Sequence, residues 1–323
     1  MNELIIKIKN PECLRGVNKI INNLRYVLIP IGLLYAAYII FLESKNLSSY
    51  HLSIDRKYFL FAFIILGINQ ILFTMAWHFI VLTISENANL KDNTIAFSEA
   101  QIAKILPSPI FYIISRVTYY KSSQLPMKEK SVVISIIMET SIQLLSGLLL
   151  IGILSTIKSN SINISIIIWF VFTVTLTIIL YQLFILVIKK FIKLRKNNIK
   201  ILALTCLLTT TTWFLSLPFS QYIIQGLFSN MRVDISFWIS IWKIWILSSL
   251  VSYIGTAVGG LGVLREFSMV IMLAQELNMT YAIIIALVSR LLITLSNIFW
   301  STIILILARK ITKLKYLVKG TIL

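Results

Sequence analysis

Five charged side chains lie inside or beside long apolar stretches of this sequence: Arg116, Glu139, Arg265, Glu266 and Arg290. A charge at the centre of an apolar span costs about 2.5–3.5 kcal/mol on membrane-insertion scales, so an unpaired position that faces lipid is unfavourable. Two kinds of chemistry fit these residue types. The charges can pair with one another as internal salt bridges, or the arginines can line a polar path and bind phosphate.

The positions of these charges limit which pairs can form. We expect Glu139 to face Arg116 or Arg290, and Glu266 to face Arg290 or Arg265. Salt bridges alone would fix the register of the helices. The convergence of several charges on interrupted apolar segments favours a path for a lipid headgroup or an ion. Both interpretations stay open at the level of sequence.

A glycine-rich turn precedes the second group of charges. Gly259, Gly260 and Gly262 permit backbone with positive φ, and a helix that begins near Val263 would present free N–H groups to phosphate or carboxylate. The stretch does not fit a dinucleotide-binding fingerprint, because Arg265 stands at the third glycine position and no strand precedes it. No metal-ligand spacing occurs in the sequence, and we expect neither a metal nor a cofactor.

The composition indicates an integral membrane protein. The chain has 323 residues, of which 58% are hydrophobic and 13% charged, and its mean hydropathy is +0.88. Soluble domains average about half apolar and about a quarter charged residues. Long continuous apolar runs select helices over a β-barrel. We therefore predict an all-α, polytopic membrane helix bundle that forms one domain over residues 1–323, with no soluble domain.

Seven apolar segments have the length, or nearly the length, of the about 20 residues that a bilayer requires. They are residues 26–42, 58–84, 131–154, 163–188, 200–226, 235–258 and 279–308. Two further segments are interrupted: 95–120 by Pro107 and Pro109, and 259–278 by the glycines. Since proline cannot donate a backbone hydrogen bond, we expect 95–120 to form a re-entrant hairpin or an interfacial helix pair.

The basic residues predict how the chain crosses the membrane. The net charge is +18, and 22 of the 30 Lys and Arg residues fall within 1–25, 85–130, 189–200 and 309–319. Basic blocks between apolar spans follow the positive-inside rule and attract anionic lipids, so we do not expect nucleic-acid binding. Keeping every block on one side requires about eight spans, with 259–278 as the eighth. Both termini are then cytoplasmic, in a cell membrane that is the inner membrane in a bacterium.

The order of these motifs resembles the lysylphosphatidylglycerol synthase transmembrane-region family, a group of flippase-like integral membrane proteins. The resemblance rests on Leu106-Pro107 with Arg116, then Glu139, then Gly259-Gly260-Leu261-Gly262 with Glu266, and finally Arg290. It implies movement or binding of a lipid or lipid-linked headgroup in cell-envelope or surface-glycan biogenesis. The partners implied are membrane lipids, anionic or phosphate-bearing. The soluble aminoacyl-transferase domain is not expected here, so a transporter is favoured over an enzyme.

Two alternatives remain. An accessory membrane subunit could dock a glycosyltransferase or another envelope-assembly partner through basic loops such as 189–200. A polyprenyl-linked sugar transferase, which is less favoured, would need acidic residues in an outward-facing loop as a base or as metal ligands. The candidates for that role are Glu43, Asp55 and Asp234, which are scattered along the sequence.

Overall fold

The computed structural model describes residues 54–85, 88–104, 110–122, 127–157, 198–228, 234–258 and 264–320. Eight α-helices lie in these ranges, which confirms the predicted helical class. In chain order they are α1 (Arg56–Ile84), α2 (Leu90–Ala103), α3 (Ile110–Ser122), α4 (Glu129–Ile157), α5 (Asn198–Leu227), α6 (Ile235–Val258), α7 (Leu264–Glu276) and α8 (Met279–Gly320).

Five of these helices, α1, α4, α5, α6 and α8, are long and apolar enough to cross a membrane. Each coincides with one of the spans predicted from sequence. The other two expected spans, 26–42 and 163–188, lie outside the described residues. The described part of the chain therefore has the composition of a multi-pass helical membrane protein, while the total of eight crossings stays a prediction.

Helices α1 and α5 pack against each other in antiparallel orientation. The backbone N–H of Asp55, just before α1, donates to the carbonyl of Gly226 near the end of α5, at 2.9 Å. The Asp55 carboxylate also accepts from the backbone N–H of Lys57 at 3.0 Å and so caps α1. Gly226 lies against the ring of Phe59, where a side chain would crowd the helix contact.

The α2 and α3 helices form an antiparallel hairpin. The Tyr119 hydroxyl near the end of α3 donates to Asp92 near the start of α2 at 3.1 Å. At the other end, the Lys104 ammonium lies 4.5 Å from the centroid of the Tyr112 ring. The predicted interruption of this segment is confirmed, because α2 ends at Ala103 and α3 begins at Ile110. The residues between, including Pro107 and Pro109, lie outside the described ranges.

Helix α7 runs back toward the end of the bundle at which α6 begins. Met269 and Leu273 of α7 are fully buried in a cluster with Trp238 near the start of α6 and Ala282 near the start of α8. Thirteen residues of helix cover about 20 Å, less than the about 30 Å of a bilayer core. A complete crossing by 259–278 would therefore depend on residues 259–263, which lie outside the described ranges.

Helices α1 and α8 approach closely at Gly67. The Trp300 indole N–H donates to the backbone carbonyl of Phe63 at 3.1 Å, and the Gln70 amide donates to the Ser301 hydroxyl at 2.8 Å. A Cβ atom on Gly67 would lie 2.5 Å from a carbon of the Trp300 ring. Glycine is therefore required here so that the indole can lie flat against α1.

The Gly67→Ala variant tests this contact. We expect it to destabilise the protein by about 1–3 kcal/mol, because the added methyl displaces the partly buried indole of Trp300 together with its hydrogen bond. Thermal unfolding in detergent measures the effect. The matched control is Ile64→Ala on the same helix, where the side chain is exposed. Equal melting temperatures for Gly67→Ala and the wild type would contradict the close contact.

Candidate functional site

Arg116 of α3 and Glu139 of α4 form a buried ion pair, here called the enclosed pair. Arg116 Nη1 lies 2.5 Å from Glu139 Oε2, and Arg116 Nη2 lies 3.4 Å from Oε1. The Tyr112 hydroxyl, one turn earlier on α3, donates to the same Oε2 at 2.7 Å. Arg116 is 0% exposed. Glu139 lies about 15 Å along α4 from its first residue, given the helical rise.

Aromatic rings surround the Arg116 guanidinium. Its Cζ atom lies 3.6 Å from the centroid of the Trp77 ring, 4.2 Å from that of Tyr112 and 5.1 Å from that of Phe97. Ring faces stabilise a cation that has lost its water shell. The Arg116 Nε–H nevertheless has no hydrogen-bond partner in the described part of the chain. The pair is thus closed to ligands in this structure but not fully satisfied.

A chain of hydrogen bonds connects the hairpin to α1. The Trp77 indole N–H donates to the Tyr120 hydroxyl at 3.0 Å, and Tyr120 donates to Asn93 Oδ1 at 2.7 Å. Asn93 Nδ2 then lies 2.8 Å from His78 Nδ1. Because the indole nitrogen can only donate, these directions assign His78 Nδ1 as an acceptor, with its proton on Nε2. His78 is therefore the last member of this series of hydrogen bonds, in which it accepts from Asn93.

The base of the hairpin adjoins a small crevice. Its lining includes Ser85, Asp92, Asn93, Tyr120 and Met127. Burial and the neighbouring Asp92 carboxylate raise the pKa of Tyr119, so its hydroxyl stays protonated and donates to Asp92. Tyr120 and Asn93, the two middle members of the hydrogen-bonded chain, thus line this crevice.

The second group of charges, Arg265, Glu266 and Arg290, is here called the open triad. Glu266 Oε1 lies 3.3 Å from Arg290 Nη1 and 3.8 Å from Arg265 Nη1. Two cations therefore share one carboxylate. The Arg290 side chain is 52% exposed, whereas that of Glu266 is only 14% exposed. The triad carries a net positive charge that reaches the surface of the protein through Arg290.

Arg265 attaches the first turn of α7 to the middle of α6. Its Cζ atom lies 4.7 Å from the centroid of the Trp245 ring, and its Nε donates to the Ser249 hydroxyl at 3.3 Å. These two residues lie about 15 Å and about 21 Å along α6 from its first residue. The N-terminus of α7 is therefore near the middle of the bundle.

Arg290 lies on an apolar surface of α8. Leu287 and Leu291, which flank it on the helix, are 47% and 60% exposed. Phe267 and Ile271 of the neighbouring α7 are also exposed. Arg290 is about 16 Å from the first residue of α8. A half-exposed guanidinium at this position is surrounded by side chains typical of a lipid-facing surface.

The predicted pairing of the charges is confirmed. Glu139 pairs with Arg116, and Glu266 pairs with both Arg290 and Arg265. The glycines assigned to the same region, Gly259, Gly260 and Gly262, lie outside the described residues. Helix α7 begins at Leu264, one residue after the expected start near Val263. Within the described ranges, no cluster of three His, Cys, Asp or Glu side chains could hold a metal ion.

Several residues of the site were not identified from sequence. Tyr112 stands four residues before Arg116, so their side chains share a helix face. This spacing is a signal in the sequence that predicts their proximity. Trp77 and Asn93 come from other helices, and no local pattern places them near Arg116. Trp245 shares one helix face with Trp238 and Trp242, a spacing that packing alone explains, yet its ring also contacts Arg265.

Comparison of the chain with protein-family models, curated proteins and solved structures finds no match. The resemblance to the lysylphosphatidylglycerol synthase transmembrane-region family therefore stays a prediction, carried by the order of the charged residues and glycines along the chain.

The Glu139→Gln variant tests whether the enclosed pair is structural. It leaves the Arg116 charge buried without a counter-charge, and we expect a loss of about 3–5 kcal/mol in stability. Thermal unfolding in detergent micelles reports the change. The matched control is Glu266→Gln in the open triad. It should lose less stability, because Arg290 is half exposed and Arg265 keeps its contacts with Trp245 and Ser249.

The double variant Arg116→Met/Glu139→Leu completes the comparison. It removes both charges, so we expect it to recover much of the stability lost in Glu139→Gln. If Glu139→Gln unfolds at the wild-type temperature, the buried ion pair does not hold the hairpin to α4.

Proposed function

We propose that this chain is a flippase-like membrane protein. It binds an anionic, phosphate-bearing lipid headgroup at the open triad and assists its movement between leaflets, in cell-envelope or surface-glycan biogenesis. The observation that carries the proposal is the half-exposed Arg290 on an apolar surface of α8.

The charge balance at Arg290 favours an anionic ligand. Its only carboxylate partner among the described residues, Glu266, is shared with Arg265. An arginine at membrane depth is costly unless it is paired or reaches a polar environment. A lipid phosphate would supply the missing negative charge, and the planar guanidinium matches its oxygens with two parallel hydrogen bonds.

The start of α7 adds to the attraction for an anion. The first N–H groups of a helix lack intrahelical partners and carry a partial positive charge. In α7 this end lies beside Arg265 and Glu266, level with Trp245 of α6. Interrupted helices that end near the middle of the bilayer form the substrate sites of many transporters.

These distances agree with the topology that we propose for the whole chain. It has eight crossings, both termini are cytoplasmic, α2 and α3 form a re-entrant hairpin, and 259–278 is a broken eighth span. The enclosed pair and the open triad then lie about 15 Å and about 16 Å from the first residues of α4 and α8, near the middle of a bilayer core of about 30 Å.

The alternative functions gain less support from the described residues. Asp55 caps α1, and Asp234 caps α6 by accepting from the Phe237 N–H at 3.1 Å and from the Ser236 hydroxyl at 2.6 Å. Both carboxylates have structural roles, and the third proposed acid of a sugar transferase, Glu43, lies outside the described residues. The accessory-subunit hypothesis relies on the basic block 189–200, most of which lies outside the described ranges.

Lipid binding to the Arg290→Ala variant tests the proposal. We expect the variant to lose about tenfold or more in affinity for phosphatidylglycerol, because a charge-assisted hydrogen bond is removed. Arg290→Lys should retain part of the affinity, since it keeps the charge but not the bidentate geometry. Native mass spectrometry with phosphatidylglycerol and phosphatidylcholine measures the difference.

The matched control is Arg309→Ala. This residue is also an exposed arginine of α8, and it is paired with Glu99 at 2.8 Å. Its removal should leave lipid selectivity unchanged. If wild type, Arg290→Ala and Arg309→Ala bind both lipids equally, the headgroup site at the open triad is wrong. If instead the wild type binds phosphatidylglycerol selectively, transfer of a fluorescent phosphatidylglycerol between the leaflets of vesicles is the next measurement.

A further inference from the structure

We propose that Arg116 of the enclosed pair is a second binding site for the same anionic headgroup. The site is closed in this structure and is opened by movement of the α2–α3 hairpin. On opening, Arg116 exchanges Glu139 for the phosphate of the lipid. This inference rests on the proposed function, because it assigns a second site and a moving element to the same ligand.

The first observation that supports it is the unmet donor on Arg116. A guanidinium has five N–H donors, and the described contacts leave the buried Nε–H without an acceptor. Leaving a charged donor unsatisfied in a buried site is unfavourable. Glu139 supplies two oxygens, both of which already face the Nη atoms. The phosphate of a lipid headgroup also has two charged oxygens, and an approach along the Nε–Nη edge of the guanidinium would give the unmet Nε–H an acceptor.

The second observation is the charge carried by the hairpin. Arg116 and Lys104 are both on the hairpin, and Lys104 interacts electrostatically with Glu139 as well as with Arg116. The Lys104 ammonium lies 4.5 Å from the centroid of the Tyr112 ring, whose hydroxyl donates to Glu139, so a second cation lies near this carboxylate without an ion pair to it. Lys104 is exposed, whereas Arg116 is enclosed. An anion that arrives at Lys104 would compensate the excess charge before it reaches Arg116.

The third observation is the nature of the contact between the hairpin and its neighbours. Hydrogen bonds through Tyr120 and Asn93 connect it to α1, and the Arg116 ion pair connects it to α4. On α2, the Ser98 hydroxyl is fully buried and has no hydrogen-bond partner in the described part of the chain. A buried apolar cluster that includes Trp77, Phe97 and Val132 also holds the hairpin to α1 and α4. Because two buried polar atoms of the hairpin, Arg116 Nε and Ser98 Oγ, have no partner among the described residues, the polar network stabilises the closed position less than a fully satisfied one would.

Thiol accessibility at Ser98 tests the movement. In a background with Cys13→Ser and Cys206→Ser, the Ser98→Cys variant places a small reporter at a fully buried position on α2. Labelling by N-ethylmaleimide is followed in vesicles of phosphatidylcholine alone or with phosphatidylglycerol. We expect labelling to be about threefold or more faster with phosphatidylglycerol, because the ligand shifts the population toward the open hairpin.

The matched control is Ser289→Cys, which is equally buried on α8 but lies outside the hairpin. It should be labelled slowly and at the same rate in both lipids. If Ser98→Cys does not fold, Ala100→Cys is a second fully buried reporter on α2. The Tyr120→Phe variant, which removes the hydrogen bonds to Trp77 and Asn93, should accelerate labelling at either reporter in both lipids.

The outcomes separate this inference from the proposed function. If the wild type binds phosphatidylglycerol selectively but Ser98→Cys is as protected as Ser289→Cys in both lipids, the second site at the enclosed pair is wrong. The headgroup site at the open triad then remains supported. If labelling is fast but independent of lipid, and binding is unselective, both proposals are overturned. The inference is supported if labelling depends on the lipid at Ser98→Cys but not at Ser289→Cys.

Discussion

An ionised side chain in the apolar interior of a membrane protein needs a counter-charge or a polar environment, and this requirement organises the described part of the chain. Among the described residues, Arg116 and Arg265 are buried and Arg290 is half exposed on an apolar surface, and two glutamates pair with these three arginines. Short helices bring the charges together, because α3 carries Arg116 to α4 and α7 carries Glu266 to α8.

The two groups meet the requirement in different ways. Arg116 is enclosed by aromatic rings and bound by Glu139 through two nitrogens, so its charge is neutralised within the protein. Arg290 shares its carboxylate with Arg265 and remains half exposed on an apolar surface. The first arrangement stabilises the hairpin, and the second leaves a charge for something outside the protein to neutralise. This difference in exposure is the reason that we propose lipid binding at the open triad and not only an internal salt bridge.

The sequence was sufficient to predict the helical class, five spanning helices, the interruption between α2 and α3, and the pairing of each glutamate. Composition and apolar run length predict the helical class and the spanning helices. The prolines, which cannot donate a backbone hydrogen bond, predict the interruption between α2 and α3. Whether Glu139 would pair with Arg116 or with Arg290 could not be predicted, because it depends on which helices are neighbours. The same reason explains why Trp77 and Asn93 were missed. Exposure of Arg290 was not predictable either, since Arg116 and Arg290 both lie near long apolar runs.

The most direct test of this account is a cryo-electron microscopy map of the protein in nanodiscs that contain phosphatidylglycerol. We expect density for a headgroup phosphate about 3 Å from the Arg290 guanidinium, close to the middle of the bilayer rather than at its surface. The contradictory result would be an Arg290 side chain that is covered by another protein segment or extends to the membrane boundary, with only acyl chains beside the open triad.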